Sequence, residues 1–403
     1  MTTAIIIGGG VIGSAAALAM QKRGIATRLI DPDPVWRGAS RGNAGLIAIN
    51  ETDPLASIAT LKSMPGMLFA RGGPVGLPLR DIGAWLPFGL RLLAASRPAR
   101  FEAGRRALAA LLAEALPAWR RLTAEVATPD LLRERGHYIV WESARTAQAG
   151  RAALPTGPVP HRDATPDELG LIKSLARGAV DAVRIDDTAQ IVDLDRLGEA
   201  MSARFAALGG ARMRGLARLE GRGVRLETGE WLDADVIVVA AGAISGDVLR
   251  PLGHRVPLIA ERGYHIHGPA PDWPEDMPSI LFEDRSMFVT RFRSGLRATS
   301  FVEFGRPTSS PDARKWARLK HHASEIGLPF EGPVVEWMGA RPTLPDYLPA
   351  IGHSRRADNV FYAFGHQHLG LTTAAVTGEA VAALVSGEPP AFDLAPFDLA
   401  RFG

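Results

Sequence analysis

Apolar residues run without interruption through Ala4-Ile5-Ile6-Ile7 and stop at Gly8-Gly9-Gly10-Val11-Ile12-Gly13, after which the small residues Ser14 to Met20 predict a helix. After Gly24 a second apolar segment, Ala26 to Ile30, ends in Asp31. A third, Val236 to Val239, runs into Ala240-Ala241-Gly242-Ala243. Continuous apolar runs of this length predict parallel strands covered on both faces. Between Pro257 and Glu336 the pattern changes to alternation, in Tyr264 to His267, Met287 to Phe292 and Gly295 to Phe304, which predicts an antiparallel sheet. His137 to Trp141 reads as a further strand, and Pro155 to Pro160 as a Pro-rich connection. Helical spacing predicts one long helix from Gly104 to Val126, with the stripe Leu108, Leu111, Leu112, Leu116, Trp119 and Leu122 facing a core. Helices are also predicted over Leu194 to Leu208 and Leu371 to Val385, the latter capped by Thr372 or Thr373.

Composition narrows the class. A chain of 403 residues, 46% hydrophobic and 22% charged, has the balance of a globular protein and the length for two domains. The net charge of +3 comes from scattered arginines, which speaks against a nucleic-acid partner. Cysteine is absent, so disulfides, thiolate metal sites and a thioether-tethered flavin are excluded, and any redox chemistry needs a bound cofactor. His321-His322 and the pair His366 and His368 lack further ligands at metal-site spacing, so no metal is expected. The first strand begins directly after Met1-Thr2-Thr3, with no basic leader or cleavable apolar segment, and no apolar run is long enough to span a bilayer. A cytoplasmic protein is expected. Residues 77–98 hold Trp85, Phe88, Leu92 and Leu93 beside Arg80, Arg91 and Arg97, which suits either a helix packed on its own domain or a peripheral contact with the inner face of a membrane.

The glycines at the end of the first strand have separate tasks. Gly8 permits the turn, Gly10 lets backbone approach a pyrophosphate, and Gly13 lets the helix pack closely on the sheet. The helix N-terminus offers free N–H groups to the phosphates. Asp31, about twenty residues on, stands where a ribose 2′-hydroxyl is bound. The loop from Pro32 to Ile47 is rich in small residues and places Ser40, Asn43 and Gly45 near the reactive end of such a cofactor; Ala241-Gly242 allows a second close approach.

These segments, with Ser40-Arg41-Gly42-Asn43-Ala44-Gly45, Arg262-Gly263-Tyr264, Thr290-Arg291-Phe292, Trp337 to Pro342, Pro345-Asp346 and Gly365 to Thr372, resemble the D-amino acid dehydrogenase branch of the D-amino-acid-oxidase-like flavoproteins over nearly the whole chain. The resemblance implies an α/β, two-domain, glutathione-reductase-like fold with non-covalent FAD. The FAD-binding domain would comprise residues 1–53, 165–256 and 335–403, and an inserted antiparallel-sheet substrate domain residues 54–164 and 257–334. It implies FAD contacts from Gly8, Gly10, Val11, Ile12, Gly13, Asp31, Ser40, Asn43, Ala44, Gly45, Ala241, Gly242, Arg341, Gly365, His368, Leu369, Gly370, Leu371 and Thr372. Two departures from the family pattern stand out: Asp31 where glutamate is common, and His366-Gln367-His368 where smaller residues are usual. His368 resembles what is expected in members acting on D-proline or cis-4-hydroxy-D-proline.

Oxidation of an amino acid at Cα needs a hydride acceptor, a fixed carboxylate and a neutral amine. On the strands, Arg291 is the leading candidate for a bidentate carboxylate clamp and Tyr264 for a supporting hydroxyl. Either His366 or His368 can take the amine proton or shape the pocket, and Arg341 can stabilise reduced flavin or form a structural ion pair. Reoxidation would fall to a quinone or an electron-transfer protein. The alternatives are an oxidase of the sarcosine or glycine oxidase type, a non-catalytic FAD-binding subunit of a hetero-oligomer, and, from the glycine motif alone, an NAD-dependent dehydrogenase.

Overall fold

Strand Thr3–Ile7, its last four residues buried, lies in the middle of a six-stranded sheet in the computed structural model, which describes residues 2–154 and 160–403. The strand order is Ala211–Arg214, Ala26–Asp31, Thr3–Ile7, Val236–Val239, Val360–Phe364 and Ala350–His353, and every pairing is parallel except the last. Both faces are covered, which explains the unbroken apolar runs. Ala4 and Ile6 face the helices Val11–Lys22 and Ala374–Val385, while Ile5 and Ile7 face a three-stranded antiparallel sheet through Leu219, Val224 and Leu232. The two helices cross closely because Gly378 lies against the Ala15 backbone, where a Cβ would come within 2.6 Å.

The second sheet has nine strands and is predominantly antiparallel. Its order is Val335–Thr343, Ile259–Gly268, Gly295–Gly305, Met287–Phe292, Ser279–Phe282, His137–Trp141, Asp181–Ile185 and His161–Asp163, with Val75–Gly76 added beside Gly295–Gly305. One face packs on helices Pro166–Leu175 and Ala313–Glu325; the other turns toward the first sheet and lines a cavity between them. A bulge interrupts the pairing of Ile259–Gly268 with Gly295–Gly305, so that Arg262 and Tyr264 pair with Glu303 and Ser300, and Phe301 takes a φ of +63° there.

Several boundaries differ from those expected. The stripe from Gly104 to Val126 belongs to two helices, Pro98–Ala113 and Ala115–Glu125, because Pro117 lacks an N–H and its ring crowds the carbonyl of the preceding turn. Both helices pack on the core of the first sheet, although residues 54–164 were assigned to the substrate domain. Conversely, Pro166–Leu175, Asp181–Ile185 and Val335–Thr343, assigned to the FAD domain, belong with the second sheet. In each case the stripe that periodicity detects is compatible with either core. The C-terminal helix begins at Ala374 with Thr373 as its N-cap residue, but no side chain makes the capping bond: the Thr373 hydroxyl donates to Leu369 O, and the Thr372 hydroxyl accepts from Ala48 N at 3.0 Å across the chain. Residues 155–159 of the Pro-rich connection lie outside the described residues. Among the described residues no helix is long and apolar enough to cross a membrane.

Candidate functional site

The glycine turn forms one end of a cavity of about 810 Å³, near the upper limit of the range of ~300–1,000 Å³ for small-molecule sites. Gly8 sits at φ +109° and Gly13 is so close to the turn that a Cβ would lie 1.8 Å from Gly8 O. At Gly10 the nearest atom to such a Cβ is Ser40 Oγ at 3.2 Å, leaving the cavity side open for a ligand. Val11 N–H donates to Ser40 Oγ at 3.0 Å, and Gly9 N–H to Asp31 Oδ2 at 2.6 Å, so the serine and the acid hold the turn in shape while both line the cavity.

The same cavity is lined by Asn43, Ala44 and Ala241-Gly242, and by Gly339-Arg341 and the segment 366–372. Gly42 lies under the Trp337 ring, where a Cβ would come within 2.1 Å, and the same ring stacks on His265 at 4.9 Å and 15°. Segment 366–372 is tightly fixed. Gln367 has a φ of +45°, Tyr347 one of +59°, and the Gln367 amide donates to Tyr347 O at 3.0 Å. Backbone held in a sparsely populated region at a cavity wall is a recurrent feature of ligand sites.

This shape suits an elongated dinucleotide. The turn and the helix N-terminus would take the pyrophosphate, Asp31 a ribose hydroxyl, and Ala241-Gly242, Asn43-Ala44, Gly339-Arg341 and Leu369-Thr372 the ring system. Gly13, Gly45 and Gly365, expected among the contacts, stand behind the lining. Gly45, at φ +81°, would place a Cβ 2.7 Å from the Phe292 ring, and Gly365, at φ +79°, one 2.6 Å from Leu344. They make room for walls rather than for a ligand.

Around Arg341 and His368, charge is concentrated. His368 Nε2 lies 2.5 Å from Glu51 Oε2, and both residues line the cavity. Burial disfavours the charge on either partner, but each outweighs it for the other: the His368 pKa is raised and that of Glu51 lowered. Arg341 Nη1 lies 3.3 Å from Oε1 of the buried Glu261, whose other oxygen accepts from Thr343 Oγ1 at 3.0 Å. Gly263 provides the space for this arginine, since a Cβ there would sit 2.3 Å from Arg341 Nη2. Leu55, Met67, Phe288, Phe301 and Met338 supply apolar walls.

Three residues expected at this site are not used as expected. Tyr264 lies on the opposite face of its strand, where its hydroxyl donates to Glu303 Oε1 at 3.1 Å and accepts from Asp312 N at 3.1 Å. Arg291 shares a strand face with Met287 and Val289, which pack away from the cavity, and donates to Ala270 O at 3.3 Å. Arg291 is therefore not among the residues that line the cavity. His366 does line the cavity, but burial pushes its pKa down to about 3, and Nε2 pairs with Thr377 Oγ1 at 3.1 Å. It is too weak a base to take an ammonium proton near neutral pH. Conversely, Glu51 and Glu261 were not singled out from the sequence. Glu51 stands in a loop whose partner is 317 positions away, whereas Glu261 had a visible signal, since it alternates with Gly263 and His265 on the cavity face of its strand.

Comparisons with known proteins agree with this geometry. Residues 3–384 match the family described as DAO, FAD dependent oxidoreductase. A D-amino-acid oxidase of Bradyrhizobium diazoefficiens is 33% identical over 98% of both chains, and D-amino acid dehydrogenase 2 of Ralstonia nicotianae is 28% identical over 98% of this chain and 99% of its own. Among solved structures, glycine oxidase from Geobacillus kaustophilus superposes with a TM-score of 0.73 at 21% identity, covering 100% of this chain and 99% of its own; at that identity the likeness speaks for the fold. Family match, full-length relatives and a cavity shaped for the dinucleotide converge: the chain belongs to the DAO family of FAD-dependent oxidoreductases, and it oxidises amino acids at the CH–NH bond in the manner of the D-amino acid oxidases and dehydrogenases.

Proposed function

We propose that the substrate is a D-amino acid held by its carboxylate on Arg341, with its amine facing His368. The observation that carries this reading is the presence of Arg341 and the Glu51–His368 pair near one another in a single cavity. A planar guanidinium binds a carboxylate through two parallel N–H bonds and so fixes the direction of Cα–H as well as the position of the substrate. Among the described residues Arg341 makes one side-chain hydrogen bond, from Nη1 to Glu261, which leaves its other N–H groups for a substrate carboxylate.

Amino acids arrive as ammonium zwitterions, and an ammonium has no lone pair to assist loss of hydride from Cα. With Glu51 accepting the Nε2 proton, neutral His368 keeps its lone pair on Nδ1, a nitrogen without a hydrogen-bond partner among the described residues. Transfer of one ammonium proton to Nδ1 leaves a neutral amine and an imidazolium facing the Glu51 carboxylate, so charge is conserved within the chamber. Bound FAD supplies the acceptor for the hydride leaving Cα. The imino acid formed is hydrolysed by water or, from a cyclic substrate, remains a ring.

The test is an anaerobic spectrum of the holoprotein during addition of D-alanine, D-proline, cis-4-hydroxy-D-proline, sarcosine and the L-enantiomers, one at a time. Bleaching of the flavin band by a D-amino acid is expected. Bleaching by sarcosine alone moves the substrate to N-methylated amines, and a flavin that no compound bleaches argues for a scaffold subunit. Mixing the reduced protein with oxygen or with a soluble quinone then separates an oxidase from a dehydrogenase; we take the acceptor to be a quinone or an electron-transfer protein.

A further inference from the structure

We propose that the helix Ile82–Ala95 and the turn before it form a docking face for an anionic lipid surface. The helix turns Phe88, Leu92 and Ala95 into a small core with Phe304 and Tyr347, and leaves Ile82, Leu86, Leu90 and Leu93 exposed. Spacings of three and four residues put these side chains in one stripe along the outer face of the helix. Leu90 is 63% exposed, Leu93 57%, and Leu79 in the preceding turn 80%. Leu55 and Ile58, also exposed, come from the neighbouring segment that packs on the same small core. Other large exposed apolar residues stand apart from this patch, and two of them, Leu216 and Ile244, belong to the cavity lining. A contiguous exposed patch calls for a partner where single residues do not.

Charge identifies the partner. From Leu55 to Arg100 the chain carries Lys62, Arg71, Arg80, Arg91, Arg97 and Arg100 against a single acid, Asp81, which is buried. Among the described residues Arg91, Arg97 and Arg100 have no carboxylate partner, and all three are exposed. A second copy of this chain would bring the same positive charge against itself, whereas an anionic bilayer offers apolar depth to the leucines and phosphates to the arginines. The face also adjoins the chamber: exposed Leu55 also lines the cavity, and half-buried Met67 lines it from the next helix. An acceptor dissolved in lipid would thus meet the protein beside its active site. This inference is independent of the amine chemistry proposed above.

Co-sedimentation with vesicles tests it. Holoprotein is expected to pellet with phosphatidylglycerol–phosphatidylcholine vesicles, weakly with phosphatidylcholine alone, and less as salt rises. Leu86→Gln with Leu90→Gln should lower the partition coefficient at least ten-fold, and Arg91→Gln or Arg97→Gln by about five-fold each. Because these side chains point outward, FAD content, circular dichroism and substrate bleaching should stay at wild-type values, which separates lost docking from lost folding. Wild-type protein that remains in the supernatant with anionic vesicles overturns the proposal. So does a dimer that Leu86→Gln with Leu90→Gln dissociates while vesicle binding is absent, since that outcome assigns the face to a second copy.

Discussion

Arg341 and Arg291 both project from strands of the nine-stranded sheet, yet only Arg341 reaches the cavity, because successive side chains leave a strand on opposite faces. Arg341→Ala should therefore raise KM by roughly 2–5 kcal/mol in binding terms, a loss that includes leaving Glu261 buried without its cation. Arg291→Ala should leave KM within about two-fold. Steady-state kinetics on both variants, each checked for retained flavin, decides between the two arginines; the opposite ranking would sink the proposed clamp.

The Glu51–His368 pair makes a second prediction at this scale. His368 must be neutral to accept a proton, and Glu51 raises its pKa despite burial, with Glu261 adding to the rise and Arg341 opposing it. Buried His137, pushed down to about 4, is uncharged near neutral pH and leaves this balance unaltered. Activity should accordingly rise with pH through a pKa above that of an ordinary histidine. Removing the carboxylate in Glu51→Gln should move that acid limb to lower pH while lowering kcat, because the imidazole loses its fixed tautomer. Nitrogen NMR of the His368 ring reads the same change without turnover. An acid limb that stays in place would show that Glu51 does not act through His368.

Elements carry the site through close approaches that only glycine allows. At Gly13 a methyl group would meet Gly8 O at 1.8 Å, and neither backbone segment can yield without reshaping the turn. Gly13→Ala should destabilise the first sheet by about 1–3 kcal/mol, as overpacking does, and release FAD, which gel filtration with absorbance at the flavin band will detect. At Gly263 the contact is with the end of a flexible side chain, Arg341 Nη2 at 2.3 Å. Gly263→Ala is expected to keep the fold and the flavin and to raise KM by displacing the guanidinium.

For the whole molecule, stability and catalysis are divided between the two faces of the large sheet. The face away from the cavity buries Arg262, Glu303 and Lys315 as an ion-paired cluster, with Lys315 Nζ 2.7 Å from Glu303 Oε2, and Tyr264 donates into it. Removing one member leaves buried charge uncompensated, so Glu303→Leu should cost about 3–5 kcal/mol of stability in chemical denaturation. KM should change little, since Glu303 does not line the cavity. FAD held in the cavity would contact both sheets, since residues of both line it. A concentration of about 1,000 times its Kd should stabilise the native state by about 4.1 kcal/mol, seen as a higher melting temperature of holoprotein than of apoprotein.

By itself the sequence determined what depends on near neighbours. Unbroken apolar runs marked the strands at Ile5, Ile30 and Val238, alternation marked those around Tyr264 and Phe292, and glycine spacing located the dinucleotide turn with Asp31 beside it. Residues 77–98 were legible as an amphipathic helix suited either to packing on its own domain or to a membrane contact; Phe88 and Leu92 pack on the domain, and Leu86 and Leu90 are outside. Only the tertiary structure decided which way each face turns, because a stripe or an alternating strand fixes side-chain orientation relative to its own element and not relative to the element that buries it. The same reason separates Arg341 from Arg291. It also joins Glu51 to His368, 317 positions apart, an encounter set by how two sheets close around a cavity.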